Sequence, residues 1–190
     1  IELKDYILNN NTIKNAGGIT IPDFLKHEHF KHISKIKDNI TIHENLKKIF
    51  DGDNYRFCSH NDIGVNRVVG WHKDKLNNDY ARYETVDIWS EHNGEQHEIV
   101  KVLLYLQDHT NNNNGLKLVP KSHLDRNIKT DKFIQLKIKE GSILIFDQRI
   151  THRGMEKYTD DLRALVSFGF GKNNIFTDNF EKGTIARQNK

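Results

Sequence analysis

The chain has 190 residues, of which 36% are hydrophobic, and its formal net charge at pH 7 is +3. This length suits a single domain with a packed core, and no apolar run approaches the roughly 20 residues of a membrane-spanning helix. Basic and acidic residues are interspersed, so the charge does not require a nucleic-acid partner, although it is compatible with an anionic small molecule.

The single cysteine, Cys58, cannot form an internal disulfide, which fits a reducing compartment and predicts a cytoplasmic location. The chain opens on Ile1 and not on Met, which suggests that it has been trimmed, so a targeting segment could have preceded it. No feature of the sequence requires an interface between subunits, so a monomer is the default expectation.

The first part of the chain predicts one short strand followed by two helices. Residues 17–22 read as a strand ended by proline, and Asp23 offers its carboxylate as the N-cap of a helix that runs to Ile36. A second amphipathic helix is predicted from His43 to Phe50. We expect both helices, over about 23–50, to be scaffold.

From Tyr55 onward the pattern changes to short apolar runs separated by glycine and asparagine turns, which predicts a strand-rich second part. Many short strands at this spacing are typical of a sandwich or jelly roll. We therefore expect one mainly β domain, with helices flanking a jelly-roll core over about 55–171. The predicted strands are YRFCS, NRVVGWH, EIVKVLLYL, LKLV, FIQLKIK, SILIFD and RALVSFGF.

Lys75 to Glu98 forms a long polar and aromatic interruption of this strand pattern. Long loops without a sustained period are often lids or binding loops, and Tyr80, Arg82, Tyr83 and Trp89 would supply its contacts. An ordinary packed surface loop, whose aromatic side chains cover the end of the barrel, is an equal alternative.

Three residues have the types and spacing of a metal site. His72 and Asp74 lie two apart, so strand alternation sends them to the same face while Trp71 and Lys73 point the other way. His152 follows the apolar run SILIFD in the same phase and could end an inward-facing row. Two histidines and one carboxylate leave open coordination positions, an arrangement that suits non-haem Fe(II).

Each of these residues also has an ordinary reading. Among 11 histidines a His-x-Asp pair can arise by chance, and His152 could be a surface residue after a strand. Arg163, which opens RALVSFGF, could be a structural ion-pair partner of Asp160 or Asp161. The order of the residues, with a chelating pair, a later His and then an Arg, favours a site over chance.

The same segments carry a resemblance to a known family. The succession of HKD, KVLLYLQDHTNNNNGLKLVPKSH, GSILIFDQRITHRG and Arg163 resembles the phytanoyl-CoA dioxygenase family of Fe(II)- and 2-oxoglutarate-dependent oxygenases. The family's V-P-G-S-H segment is matched at residues 119–123, except that Lys121 replaces the glycine. The opening GGITIPDFL is also similar, and the resemblance covers about Gly18 to Gly171.

The resemblance implies a double-stranded β-helix in which His72, Asp74 and His152 hold the iron and Arg163 pairs with the distal carboxylate of 2-oxoglutarate. The arginine suits this role because its guanidinium binds a carboxylate through two hydrogen bonds and keeps its charge. Ser167, in phase with Arg163, could add a hydroxyl, although packing is the commoner role of such a serine. Asn66, in phase with His72, is a further candidate contact to the co-substrate or to water on the metal.

One departure from the family concerns co-substrate binding. Many relatives carry a serine or threonine two positions after the distal histidine, where this chain has Gly154. Some of the anchoring is therefore expected to come from elsewhere or to be weaker.

The expected reaction is hydroxylation of a small molecule with O2, in which 2-oxoglutarate is converted to succinate and CO2. Halogenating relatives lack the carboxylate ligand, so Asp74 favours hydroxylation. The sequence does not identify the substrate, but several cations near the motifs slightly favour an anionic one, such as a phosphate, a carboxylate or a coenzyme A thioester. Those cations are Lys73, Lys75, Arg82, Arg149 and Arg153, of which Lys73 and Arg153 should point away from the metal.

Two other functions stay open on the residues alone. A cupin-type metalloenzyme would use zinc, manganese or nickel without 2-oxoglutarate, and a non-enzymatic jelly roll would bind a sugar or a partner. Arg163 distinguishes the oxygenase from both alternatives, because only the oxygenase needs an anchor for a co-substrate.

Overall fold

Antiparallel strands in two sheets form the core of the computed structural model, which describes residues 9, 18–111, 114–157 and 162–189. The larger sheet has the order β1-β2-β8-β3-β6 and the smaller sheet the order β5-β4-β7. This architecture confirms the predicted mainly β jelly roll with flanking helices. The strands are β1 (Ile19–Pro22), β2 (Tyr55–Val65), β3 (Ile99–Tyr105), β4 (Lys117–Leu118), β5 (Ile134–Gln135), β6 (Ile143–Asp147), β7 (His152–Arg153) and β8 (Ala164–Lys172).

The N-terminal helices cover the outer face of the larger sheet. Side chains of the helices, such as Phe24 and Leu46, pack on alternate residues of β3 and β8, such as Val102 and Phe168, and all four are fully buried. Alternation then turns the residues between them toward the smaller sheet. One face of the larger sheet therefore packs on the helices and stabilises the fold, and the other face is available for a site. The helical segments are short 3-10 helices over Phe24–Lys26, Glu28–Asp38, Asn78–Tyr83 and Ser122–Leu124, and α-helices α1 (Ile40–Ile49) and α2 (Ile175–Gln188).

The predicted cap at Asp23 is wrong. Asp23 lies in the left-handed region at φ 51 and its side chain makes no capping hydrogen bond. Its carboxylate instead accepts a hydrogen bond from Asn61 Nδ2 at 3.0 Å and pairs with Lys26. The segment that follows is 3-10 and not α-helical, whereas α1 begins earlier than predicted because Asn39 accepts a hydrogen bond from the backbone N–H of Thr41.

One predicted strand and the predicted place of His152 differ from the structure. NRVVGWH is not a strand, and joins the barrel only through isolated bridges from Val68 to Met155 and from His72 to His152. The apolar run SILIFD ends as a strand at Asp147, where a turn closes with a hydrogen bond from the Ile150 N–H to the Asp147 carbonyl. His152 therefore lies on β7 of the smaller sheet and does not end the row of β6.

The C-terminal helix α2 was not predicted, because its few apolar residues do not recur at helical spacing. It begins at Asn174, whose side chain accepts a hydrogen bond from the Thr177 N–H at 3.1 Å. Ionic contacts then bind it to β2, where both oxygens of Asp62 lie 2.9 Å from Arg187 Nη2. None of the helices in the described residues is both long and apolar enough to cross a membrane.

Candidate metal centre and co-substrate site

Backbone hydrogen bonds bring the predicted metal ligands together from two distant segments. The N–H of His72 donates to the carbonyl of His152 at 3.0 Å, and the reverse bond is 2.9 Å. Two residues on, the N–H of Asp74 donates to the carbonyl of Gln148 at 2.9 Å. These bonds fix the register between the HKD segment and β7, so the three side chains converge.

The three side chains present a compact set of donor atoms. Asp74 Oδ1 lies 3.5 Å from His72 Nε2, and Asp74 Oδ2 lies 3.4 Å from His152 Nε2. One ligand atom from each residue lies within 4.8 Å of the other two. Within the described ranges, this is the one cluster of His, Cys, Asp or Glu close enough to hold a metal ion. Two imidazoles and a carboxylate fit non-haem Fe(II).

Hydrogen bonds to backbone carbonyls orient both imidazole rings. His72 Nδ1 lies 2.8 Å from the carbonyl of Gly70, and His152 Nδ1 lies 2.9 Å from the carbonyl of Ile150. A carbonyl can only accept, so the proton of each neutral ring lies on Nδ1 and the lone pair on Nε2. Both Nε2 atoms are therefore free to bind a metal.

Burial and neighbouring charges set the protonation states of two of the three side chains, His152 and Asp74. Burial lowers the pKa of His152 to about 4, so the ring is neutral at pH 7. Burial acts to raise the pKa of Asp74, but Lys101, His152 and His72 together hold it well below its usual range. The centre thus presents a neutral imidazole at His152 and an ionised carboxylate at Asp74.

The VPKSH segment supports this centre from behind. Ser122 Oγ accepts a hydrogen bond from the N–H of Thr151, next to His152, and donates one to the carbonyl of Val119, both at 2.7 Å. Lys121 lies at φ 62, in the left-handed region that favours glycine, which accounts for the glycine of the resembling motif. The segment therefore stabilises the strand that carries the distal histidine.

Arg163 lies at the start of β8, buried to 4% exposure, and lines a cavity of about 100 Å³ beside the three ligands. Its Nε donates to the carbonyl of Asn114 at 3.0 Å, and its Nη2 lies 3.4 Å from the hydroxyl of Tyr105. Among the residues that the structure describes, no carboxylate pairs with it. Asp160 and Asp161, the alternative partners named from the sequence, lie outside the described residues. A buried guanidinium can bind a carboxylate tightly. This inner cavity is lined by His72, Asp74, Lys101, His152, Arg163 and Ser167.

Ser167 and Asn66, the two further candidates for co-substrate contacts, lie in different surroundings. Ser167 lines the inner cavity, with its hydroxyl 3.2 Å from His60 Nε2, and burial lowers the pKa of His60 to about 4. Asn66 does not line either cavity at the centre: its Oδ1 accepts a hydrogen bond from the N–H of Arg163 at 2.8 Å. Asn66 therefore contacts the backbone at the start of β8, and acts on the site through Arg163.

Gly154 lies directly against the guanidinium of Arg163. A Cβ added at this position would meet Arg163 Cζ at 3.2 Å, closer than ordinary van der Waals contact. The serine or threonine of many relatives would therefore require the guanidinium to shift by a few tenths of an ångström. The close approach of Arg163 favours a glycine at this position.

We expect Gly154→Ala to displace the guanidinium and to raise the 2-oxoglutarate concentration for half-saturation by about tenfold, because overpacking a well-filled site is costly. Succinate formation at varied 2-oxoglutarate would measure this, with metal affinity as the internal control. Unchanged half-saturation would show that Arg163 can move aside and that the close approach has no role.

The loop from Lys75 to Glu98 is packed over much of its length. Ile88 is buried against Ile99 and Phe176, and Trp89 lies over the cations of Lys73 and Arg149 at 5.2 and 5.6 Å. These contacts favour the reading as a packed loop for its second half. Its first half is a 3-10 helix, and Tyr80 there lines a second cavity of about 370 Å³ next to the ligands.

This outer cavity contains charged residues that the sequence did not single out. Asp62 and Arg187 reach it as an ion pair from β2 and α2, and Lys101 reaches it from β3. Lys101 could have been found, since it is the one charge that interrupts the apolar run IVKVLLYL. Arg187 could not, since α2 was missed. The cationic side chains that line the outer cavity are Arg67, Lys73, Lys75, Lys101 and Arg187.

Three of the five cations that the sequence suggested have other partners. Arg149 pairs with Asp147 at 2.8 Å, Arg153 lies over the Trp71 ring, and Arg82 lies over Tyr83. A fourth, Lys73, lines the outer cavity, but its ammonium donates to the carbonyls of Ser122 and Arg149.

Comparisons with known proteins agree with this fold. HygX from Streptomyces hygroscopicus, solved with nickel and 2-oxoglutarate bound, is 15% identical with a TM-score of 0.62, over 83% of this chain and 71% of that one. A nickel complex of the non-heme monooxygenase ThoJ is 15% identical with a TM-score of 0.61, over 90% and 66%. AviO1 from Streptomyces viridochromogenes Tue57 is 13% identical with a TM-score of 0.56, over 81% and 66%. A search of curated proteins found no match.

The sequence itself decides the family. The profile of the phytanoyl-CoA dioxygenase (PhyH) family matches residues 12–165, which is most of the chain. Membership decides against a cupin-type enzyme without 2-oxoglutarate and against a non-enzymatic jelly roll. The chain belongs to the phytanoyl-CoA dioxygenase family, and it is a 2-oxoglutarate-dependent oxygenase that uses iron(II) and dioxygen.

Proposed function

We propose that this protein hydroxylates a small molecule and converts 2-oxoglutarate to succinate and CO2, with His72, Asp74 and His152 as the iron ligands. The convergence of these three side chains, with both Nε2 atoms free, is the observation that supports the assignment. Bound iron supplies the activation of dioxygen that C–H hydroxylation needs.

The carboxylate of Asp74 favours hydroxylation over halogenation. Its oxygens lie within 3.5 Å of both histidine Nε2 atoms, so it is positioned as a third ligand. A halogenase of this family leaves that coordination position to chloride. With Asp74 in place, we expect no halide requirement.

Arg163 is proposed to hold the distal carboxylate of 2-oxoglutarate in the inner cavity. Its guanidinium is buried, faces the ligands and lacks an anion among the described residues. Ser167 lines the same cavity and can donate its hydroxyl to that carboxylate. The N–H of Arg163, bonded to Asn66, keeps the start of β8 in place.

The outer cavity is proposed to receive the substrate, and its charge favours an anion. Its two acids are already neutralised, Asp62 by Arg187 and Asp74 by Lys101. Arg67 and Lys75 are exposed at its edge and make no ion pair within the described chain. The excess of positive charge would attract a carboxylate or phosphate group.

Succinate formation under air tests this function. We expect it to require Fe(II), 2-oxoglutarate and O2 together, and to be stimulated more by small carboxylates or phosphates than by their neutral esters. Oxygen from labelled O2 should appear in the stimulating compound. If succinate forms in none of these mixtures, or forms equally without Fe(II), the proposed function is wrong.

A further inference from the structure

Lys101 forms an ion pair with one of the proposed iron ligands inside the barrel. It lies on β3, where its neighbours Val100 and Val102 turn toward the helices and Lys101 turns inward. Its Nζ donates to Asp74 Oδ2 at 2.7 Å, and the two side chains are only 17% and 18% exposed. This pair is thus largely removed from water.

Among the described residues, Lys101 makes its ion pair with Asp74. Its partners across the sheet are Phe146 on β6 and Gly169 on β8, neither of which is charged. Asp62 also lines both cavities, but both of its oxygens lie 2.9 Å from Arg187.

We propose that Lys101 is a positioning residue that acts as an internal counter-cation for Asp74 and competes with the metal for this carboxylate. The proposal rests on the proposed function, because it takes Asp74 as an iron ligand. Without a metal, Lys101 neutralises the buried carboxylate. With a metal, two cations share one carboxylate, and the ammonium becomes available to an anion in the inner cavity.

Removal of the Lys101 charge has two effects, and both strengthen the binding of the metal. The metal-free protein loses stability, because Asp74 is left as a buried charge without a partner. The metal-bound protein loses a repulsion between two nearby cations. Both effects tighten metal binding, and they are opposed only by a looser orientation of Asp74.

For 2-oxoglutarate we expect the opposite: removal of the Lys101 charge weakens its binding. This dianion enters the cavity that Lys101 and Arg163 line, so each cation lowers the cost of burying its charge. Lys101 would therefore weaken the binding of the metal alone and strengthen the binding of 2-oxoglutarate. Such a coupling would favour loading of the two together.

The test compares Lys101→Met, which keeps the length of the side chain and removes its charge, with Lys101→Arg, which keeps the charge. Lys172→Met is the matched control, since Lys172 on β8 pairs with Glu98 at 3.0 Å and lines neither cavity. Ni(II) dissociation constants are measured by calorimetry with and without 2-oxoglutarate, together with thermal unfolding of the metal-free proteins. Lys101→Gln is the second variant if the Met protein does not fold.

We expect Lys101→Met to unfold at a lower temperature without metal, to bind Ni(II) about tenfold more tightly or better, and to bind 2-oxoglutarate about tenfold more weakly. A purely structural role would lower stability without tightening Ni(II) binding. Equal or weaker Ni(II) binding by Lys101→Met would overturn the counter-cation role alone. If the unmodified protein binds no Ni(II), the proposed metal site fails as well.

Discussion

Substitution of Arg163 by leucine should raise the dissociation constant for 2-oxoglutarate by at least about a hundredfold, while metal affinity stays within a few-fold of that of the unmodified protein. The guanidinium is buried and faces the inner cavity, so it can bind a carboxylate through two charge-assisted hydrogen bonds. Each such bond contributes on the order of 1.5–3 kcal/mol. Their combined loss is expected to prevent saturation at ordinary co-substrate concentrations.

Arg163→Lys is the informative companion. Lysine keeps the charge but loses the planar fork, so 2-oxoglutarate binding should fall between those of the other two proteins. Anaerobic titration of the Fe(II)-loaded proteins with 2-oxoglutarate measures all three constants. The role of Arg163 is contradicted if the leucine protein is folded and binds 2-oxoglutarate normally.

Substitution of Asp74 by glycine should abolish hydroxylation and lower metal affinity by at least about a hundredfold. Asp74 is the one anion among the three proposed ligands, and its removal leaves Lys101 as a cation beside the metal. Succinate formation and metal content of the purified variant measure the two losses. Asp74→Asn serves as the control for shape, since it keeps the size of the side chain and removes the charge.

The glycine variant also tests the assignment of the carboxylate. If Asp74→Gly keeps full activity, another acid supplies the third ligand. Asp62 would then be the first alternative, since it lines the same inner cavity.

From the sequence, His72 and Asp74 could be placed side by side, but the way in which His152 reaches them could be predicted only in part. Strand alternation predicts His72 and Asp74 on one face, and the two side chains do lie 3.5 Å apart, although the segment that carries them is not a strand. The same rule misjudged how His152 reaches them, because the run after Gly141 breaks into a turn at Asp147 and β7 joins the other sheet. The polar residues Asp147, Gln148 and Arg149 mark this turn in the sequence, but Gln148, Ile150 and His152 continue the alternation of β6 through it, so periodicity alone did not show that the strand ends.

Other parts of the site depend on contacts that sequence patterns do not encode. Gly154 could be seen to depart from the family, but its reason, the guanidinium 3.2 Å from its missing Cβ, appears only in three dimensions. The helix that carries Arg187 contacts β2 through ion pairs as well as through Phe176 and Phe180, and ion pairs leave no hydrophobic period along the chain. The inward position of Lys101 follows from the alternation of β3 once its burial is known.

We propose that His72, Asp74, His152 and Arg163 together bind iron and 2-oxoglutarate at one site. The most direct test of this proposal is anaerobic addition of Fe(II) and then 2-oxoglutarate to the metal-free protein, followed in the visible spectrum. We expect a metal-to-ligand charge-transfer band that requires both additions and is lost in His152→Ala. If no band forms with folded protein, and no succinate appears when air is admitted, the account is contradicted.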